Sequence, residues 1–244
     1  SDLAKKYHIP LVADCTVTTP YLFDAKLHGV DIVWYSATKW LGGSGRALGG
    51  LVIDMGFDWS QTKSSAVKGL YKEFNQMSFL ARCRKLRSHK GASMTPFTAF
   101  LLELGLETLA LRLDKQCKNA LGLATYLDDH KQVNAVNYPG LASSSAHGIA
   151  KDQFKNGFGG LLTFRLGSKE ACFKFIKALN VIKNLANLGD VQTLIIHPAS
   201  TIYRNLTPEQ KEETGAFEDL IRVSVGIEHM DDIKQEFEQA LNAL

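Results

Sequence analysis

Two residues of this 244-residue chain, Asp14 and Lys39, are placed so that they could do chemistry together. Each lies just past the carboxyl end of a short apolar run, Ile9–Ala13 for Asp14 and Asp31–Tyr35 for Lys39. Between them the amphipathic stretch Pro20–His28 ends at Gly29, a natural helix terminator. A strand–helix–strand crossover is nearly always right-handed, so the two strands are predicted to lie parallel. Both residues then fall at one sheet edge, where open α/β sheets bind ligands. A carboxylate and an amine at such an edge form either a plain ion pair or a reactive pair.

In the reactive version, a Schiff-base lysine works beside a carboxylate that keeps a cofactor's ring nitrogen protonated, as pyridoxal phosphate requires. The neighbours favour that version. Ser36 and Thr38 set two hydroxyls just before the lysine, suited to donating to phosphate oxygens. Gly42, Gly43, Gly45, Gly49 and Gly50 follow, and glycines let backbone approach a ligand closely. The run matches neither of the glycine motifs of nucleotide-triphosphate and dinucleotide sites.

The elements that must hold these residues follow the same rhythm. Gly50–Ile53 is predicted as a third buried strand. Leu80–Arg87 is expected to be a basic amphipathic helix, and Pro96–Leu113 one long apolar helix continuing into Cys117–His130. Beyond these, strands are predicted at Val133–Tyr138, Leu161–Arg165, Thr193–Ile196 and Ile221–Val225. Helices are predicted at Lys169–Leu179, Pro208–Thr214 and Asp231–Leu244. The expected division is 1–105, the later part of a cofactor-binding domain, and 106–244, a small α+β domain.

Composition narrows the field. With 45% apolar and 22% charged residues, the chain is of ordinary folding composition. A net charge of +3 gives no case for nucleic acid or an anionic membrane surface. No apolar run approaches the roughly 18 residues of a membrane span. The four cysteines, Cys15, Cys83, Cys117 and Cys172, are scattered, so reduced thiols in a cytoplasmic protein are expected. No metal is expected: Glu228 and His229 are adjacent residues that diverge at a strand exit. His197 is expected to be a buried, hydrogen-bonded histidine, and the Arg82–Arg87 cluster a solvated face or subunit contact.

The run Tyr35-Ser36-Ala37-Thr38-Lys39-Trp40-Leu41-Gly42-Gly43 resembles the cofactor-lysine motif of the Cys/Met-metabolism family of pyridoxal-phosphate enzymes. So do Val12-Ala13-Asp14-Cys15-Thr16, Gly105-Leu106-Glu107-Thr108-Leu109, Asn137-Tyr138-Pro139-Gly140, Gly157-Phe158-Gly159-Gly160, His197-Pro198-Ala199-Ser200 and Ile221-Arg222-Val223-Ser224-Val225. The resemblance covers effectively the whole chain, in order. It is closest to the O-acetylhomoserine sulfhydrylase branch, on Leu185–Asp190, Ile227–Asp232 and the stretch around Phe57-Asp58-Trp59.

The resemblance implies an aspartate-aminotransferase-like, fold-type I α/β architecture with pyridoxal 5'-phosphate as cofactor. It implies that Lys39 carries the cofactor and shuttles protons, that Asp14 pairs with the ring nitrogen, and that Ser36 and Thr38 bind the phosphate. Arg222 would grip the substrate α-carboxylate with Asn187 beside it, where many relatives carry a serine. The implied reaction is γ-replacement in methionine biosynthesis: O-acetyl-L-homoserine and sulfide give L-homocysteine and acetate. Methionine γ-lyase or cystathionine-forming or -cleaving activity is the alternative. The implied assembly is a homotetramer, a dimer of dimers.

Two departures stand out. Cys15 replaces the usual asparagine after the aspartate, and Tyr203-Arg204 replaces a polar pair after the His197–Ser200 run. The resemblance further implies a longer N-terminal portion, with a phosphate loop and a ring-stacking tyrosine that have no counterpart here. The expectation is therefore a C-terminal piece, or a non-catalytic subunit needing a complementary chain.

Overall fold

The computed structural model describes residues 1–244. Helix α1 (Asp2–Lys6) leads into strand β1 (Val12–Asp14), the short helix α2 (Thr19–Leu22), and strands β2 (Ile32–Ser36) and β3 (Gly50–Asp54). Strands β1 and β2 pair in parallel, with Asp14 opposite Trp34, as the crossover rule requires.

Two details of this region differ from the sequence expectation. The helix expected over Pro20–His28 stops at Leu22 because tertiary contacts take its residues. Phe23 bridges to Phe154, Asp24 pairs with Lys155 Nζ at 3.1 Å, and the Asp24 carboxylate accepts the Leu27 N–H at 3.1 Å. Gly29 does turn the chain, with φ +71°. Strand β3 is antiparallel and largely exposed, not buried. Its connection from β2 contains no helix to make a crossover, so the chain returns directly along its neighbour.

Four helices follow: α3 (Ser65–Phe74), α4 (Ser78–Lys90), α5 (Pro96–Glu107) and α6 (Leu109–Asp128). The basic residues of α4 cluster toward its last turn, where Arg87, His89 and Lys90 complement the helix dipole. Gly91, at φ +69°, supplies the left-handed cap. The single helix expected from Pro96 breaks at Thr108, which leaves the helical region at φ −107° and ψ 7°. Gly105 explains the close packing there: a Cβ on it would lie 2.5 Å from the Gly42 carbonyl oxygen.

The rest alternates between strand and helix: β4 (Ala135–Asn137), α7 (His147–Gln153), β5 (Leu161–Arg165), α8 (Lys169–Ala178), β6 (Lys183–Asn184), β7 (Leu194–Ile196), α9 (Pro208–Glu213), β8 (Leu220–Ser224) and α10 (Met230–Leu241). The five strands form a second sheet in the order β4-β5-β8-β7-β6. Its inner face packs Leu162, Phe164, Ile195, Ile221 and Val223 against α6, α8 and α10. The rings of Phe164, Phe175 and Phe237 meet there at 5.3 to 5.9 Å, Phe175 edge-on to each of the others and Phe164 tilted to Phe237.

Because side chains alternate along a strand, Ile221 and Val223 face this core while Arg222 and Ser224 face the other way. A small cluster of Leu22, Trp40, Leu113 and Cys117 joins the first sheet's region to α6. No helix is long and apolar enough to cross a membrane. Removing the ring at the centre of the main core by Phe237→Ala is expected to cost about 3–5 kcal/mol of stability, read from urea unfolding midpoints.

Candidate active site

The site begins at the two parallel strand ends. Asp14 closes β1 and Ser36 closes β2. Thr16 ties them together: its N–H donates to Asp14 Oδ1 at 2.9 Å, and its hydroxyl accepts the Ser36 N–H at 2.8 Å. One carboxylate oxygen is thus held by the turn while the other makes no protein hydrogen bond. Cys15, between them, turns into the small core around β2. Its thiol pKa is raised, first by burial and then by the Asp14 charge, so it stays protonated and apolar in character.

Lys39 follows on a short turn. Thr38 Oγ1 accepts the Gly49 N–H at 3.0 Å and its hydroxyl donates to the Gly49 carbonyl at 3.5 Å, and the two bonds close the glycine-rich loop. The Ser36 hydroxyl has no protein partner. The Lys39 amine donates to Asn187 Oδ1, and the Asn187 carbonyl oxygen accepts from Arg222 Nη2 at 3.2 Å. Lys39, Asn187 and Arg222, which are 148 and 35 residues apart in sequence, therefore form one contact chain.

Their electrostatics are coupled. Burial lowers the Lys39 pKa below its ordinary 10.5, and the Arg222 charge lowers it further. Burial likewise lowers the Arg222 pKa. The guanidinium remains cationic, since arginine does not deprotonate in proteins. A lysine with reduced proton affinity is a better nucleophile at neutral pH, because more of it is free amine.

The loop carrying Asn187 hangs on β8, where Gly189 N–H donates to Ser224 Oγ at 2.9 Å. It also lies against the lysine turn, with the Val191 N–H reaching the Gly43 carbonyl at 2.9 Å. Gly189, at φ +76°, has no room for a side chain beside Trp40. Sequence reasoning missed the residues of α6 that hold these loops. Arg112, Gln116 and Asn119 are buried polar residues on one face of that helix. Gln116 donates to the Asp190 carbonyl at 2.7 Å, and Asn119 donates to the Gly226 and Glu228 carbonyls at 3.0 and 2.9 Å. Their signal was a polar residue at i, i+4 and i+7 within an apolar helical pattern.

Residues set aside from chemistry hold the fold. His197 is buried, with Nδ1 at 2.8 Å from Ser200 Oγ and Nε2 at 2.8 Å from the Glu218 carbonyl. The Glu228 carboxylate turns onto Thr193, accepting its hydroxyl at 2.8 Å, while His229 caps α10.

With the lysine, its asparagine and the arginine in contact at the strand exits, comparison with known proteins decides the family. The family described as Cys/Met metabolism PLP-dependent enzyme matches residues 1–242. This chain belongs to that family. A homocysteine synthase of Schizosaccharomyces pombe is 41% identical over 262 residues, spanning 99% of this chain and 60% of the relative. The structure of a Wolinella succinogenes O-acetylhomoserine sulfhydrylase superposes with a TM-score of 0.85 at 39% identity, covering 98% of this chain and 65% of that one. A Campylobacter jejuni structure, assigned as an O-acetylhomoserine (thiol)-lyase and carrying a pyridoxyl-lysine monophosphate, gives a TM-score of 0.91 at 34% identity over 99% of this chain and 61% of that one. The chain thus spans about 60% of the length of its relatives.

The fold is that of the fold-type I pyridoxal-phosphate enzymes, and the family's cofactor is pyridoxal phosphate. The residues present suit that group. They offer a half-buried amine of lowered proton affinity, a carboxylate with one uncommitted oxygen, and the Ser36 hydroxyl, with the Thr38 hydroxyl beside it on a long bond to the Gly49 carbonyl. In the family's terms, the pH response of the lysine follows from its two causes. Replacing the cation by Arg222→Met is expected to raise the Lys39 pKa, while burial keeps it below 10.5. The pH profile of amine modification by a neutral aldehyde, read by mass spectrometry, checks this.

Proposed function

We propose that this chain carries the lysine-bearing part of an O-acetylhomoserine sulfhydrylase, converting O-acetyl-L-homoserine and sulfide to L-homocysteine and acetate. The observation that carries the reading is the contact chain of Lys39, Asn187 and Arg222 at the strand exits that also present Asp14. The relatives named for this reaction, at 39 to 41% identity, support it.

Bound pyridoxal phosphate supplies an electron sink for negative charge on the substrate carbons. Lys39 would hold the cofactor, and its free amine would carry protons between neighbouring substrate carbons. Asp14 would offer its free oxygen to the ring nitrogen and would keep that nitrogen protonated. Ser36 would donate its hydroxyl proton to the phosphate, and Thr38 would do so by exchanging its 3.5 Å bond to the Gly49 carbonyl. Arg222, which spends one donor on Asn187, has a planar fork left for the substrate α-carboxylate. Asn187 holds both the amine and the guanidinium, and so sets the spacing between the reacting carbon and the carboxylate. In the net reaction the γ-carbon–oxygen bond breaks, acetate leaves with the electron pair, and sulfide sulfur takes its place.

The same reading extends to organisation. Residues 1–105 would form the later part of the cofactor domain and 106–244 the small domain, in keeping with the two sheets and the helix break at Thr108. A dimer of dimers in the cytoplasm is supported by exposed apolar residues on α5 and α6, such as Phe97, Phe100 and Leu111, and by four unpaired cysteines.

Borohydride reduction followed by peptide mass spectrometry should find a pyridoxyl group on Lys39. Lys39→Ala is expected to abolish it and to lower turnover by at least about 10³-fold. Incubation with O-acetyl-L-homoserine and sulfide should release acetate and homocysteine in equal amounts. Release of ammonia from methionine or cystathionine instead would replace this reading by the lyase one. Arg222→Lys is expected to raise KM for the amino-acid substrate about 10- to 100-fold, since it removes a paired, charge-assisted contact.

A further inference from the structure

Arg112 has no part in the chemistry given to Lys39, Asp14 or Arg222, yet it is buried and three of its four hydrogen bonds go to backbone carbonyls. Those carbonyls identify its task. The segment after β2 coils through one helical turn, with the Gly42 N–H on the Ala37 carbonyl at 2.8 Å and the Gly43 N–H on the Lys39 carbonyl at 2.7 Å. A helical turn that stops leaves its last carbonyls without partners. Here the Trp40 and Leu41 carbonyls are taken by Arg112 Nη1 at 2.9 Å and Nη2 at 3.3 Å.

The other edge of the same guanidinium grips the break between α5 and α6. It donates to the Gly105 carbonyl at 2.7 Å and to Thr108 Oγ1 at 3.1 Å. Gly43, at φ +72°, leaves the space this requires, since a Cβ there would overlap the guanidinium carbon. No carboxylate pairs with Arg112; Asp190 acts on it only through its charge. The planar fork is therefore used for shape. A lysine, with one compact ammonium, cannot reach both the turn and the helix break.

We propose that Arg112 is a positioning residue for Lys39: its guanidinium caps the open end of the lysine's turn and fastens that turn to the α5–α6 junction. The proposal rests on the reading of Lys39 as the cofactor-bearing lysine. Its consequence is that the amine is presented from a fixed backbone.

The test compares Arg112→Lys, Thr108→Val and Leu127→Ala in the complete protein. Leu127 is a core residue of α6 that lies in the cluster packed on the second sheet, away from the turn. In Arg112→Lys, amide hydrogen exchange over residues 39–43 is expected to accelerate at least about tenfold. The rate at which added pyridoxal phosphate becomes reducible onto Lys39, per folded molecule, should fall by about tenfold or more, and kcat should fall with it while KM stays within about threefold. Thr108→Val removes a single acceptor and should shift every readout the same way by a smaller factor. Leu127→Ala should lower the melting temperature without moving exchange at 39–43 or the attachment rate.

Unchanged exchange and attachment in Arg112→Lys would overturn the proposal, as would equal slowing in Leu127→Ala at matched stability. If Arg112→Lys does not fold, Thr108→Val decides on the same readouts. Attachment to a lysine other than Lys39 in the unsubstituted protein would overturn the cofactor reading instead. Exchange at 39–43 still judges the clamp in that case.

Discussion

The buried polar stripe of α6 is the constraint on which the site depends. Arg112, Gln116 and Asn119 lie at i, i+4 and i+7, one above the other on a helix face. Each donates to backbone carbonyls of a different loop: the lysine turn, the Asn187 loop, and the chain leaving β8. A buried carbonyl left without a donor costs about 1–3 kcal/mol, so each of these bonds favours one position of its loop. The helix converts a regular 1.5 Å rise per residue into a fixed spacing between three irregular segments. Those segments place Lys39, Asn187 and Arg222 in contact, although the side chains come from both sheet regions of the molecule.

That arrangement settles an electrostatic conflict. Two cations, Lys39 and Arg222, lie close enough for one to lower the proton affinity of the other. A carboxylate between them would join them as an ion triad and raise the lysine pKa. Asn187 instead accepts from both, through its side-chain oxygen and its backbone carbonyl, and adds no charge. The amine keeps its hydrogen bond without a counter-charge that would raise its proton affinity. A serine in that place also brings no charge, but its shorter side chain reaches less far toward the lysine.

Much of the site was legible in the sequence because it lies where regular structure ends. The parallel pair β1 and β2, the placement of Asp14 and Ser36 at one edge, and the strand Leu161–Arg165 followed from apolar runs and the handedness of crossovers. What was not legible depends on contacts between distant segments. The helix expected over Pro20–His28 gave way because Phe23 and Asp24 found partners at Phe154 and Lys155, more than a hundred residues away. The continuous helix from Pro96 broke because the Arg112 guanidinium and the close approach of Gly105 to Gly42 both draw on the backbone there. Periodicity marked Pro96–Leu113 as apolar and helical. It carried no information about the one charged residue near its end, which serves the backbone of another segment.

Cys15 shows how far the strand exits tolerate change. The resemblance implies an asparagine in its place, whose amide could support the neighbouring aspartate. Here the side chain turns away into the core around β2, beside Tyr35 and Val33. The orientation of Asp14 is instead carried by the next residue: Thr16 donates its N–H to the carboxylate and takes the Ser36 N–H with its hydroxyl. That support comes from a backbone donor, which no side-chain substitution at position 15 removes. The thiol fills apolar space, and burial keeps it from ionising beside the carboxylate. An ionised thiolate there would add to the negative charge of Asp14, the charge proposed to face a protonated ring nitrogen. Burial of Cys15 therefore protects the function assigned to the aspartate beside it.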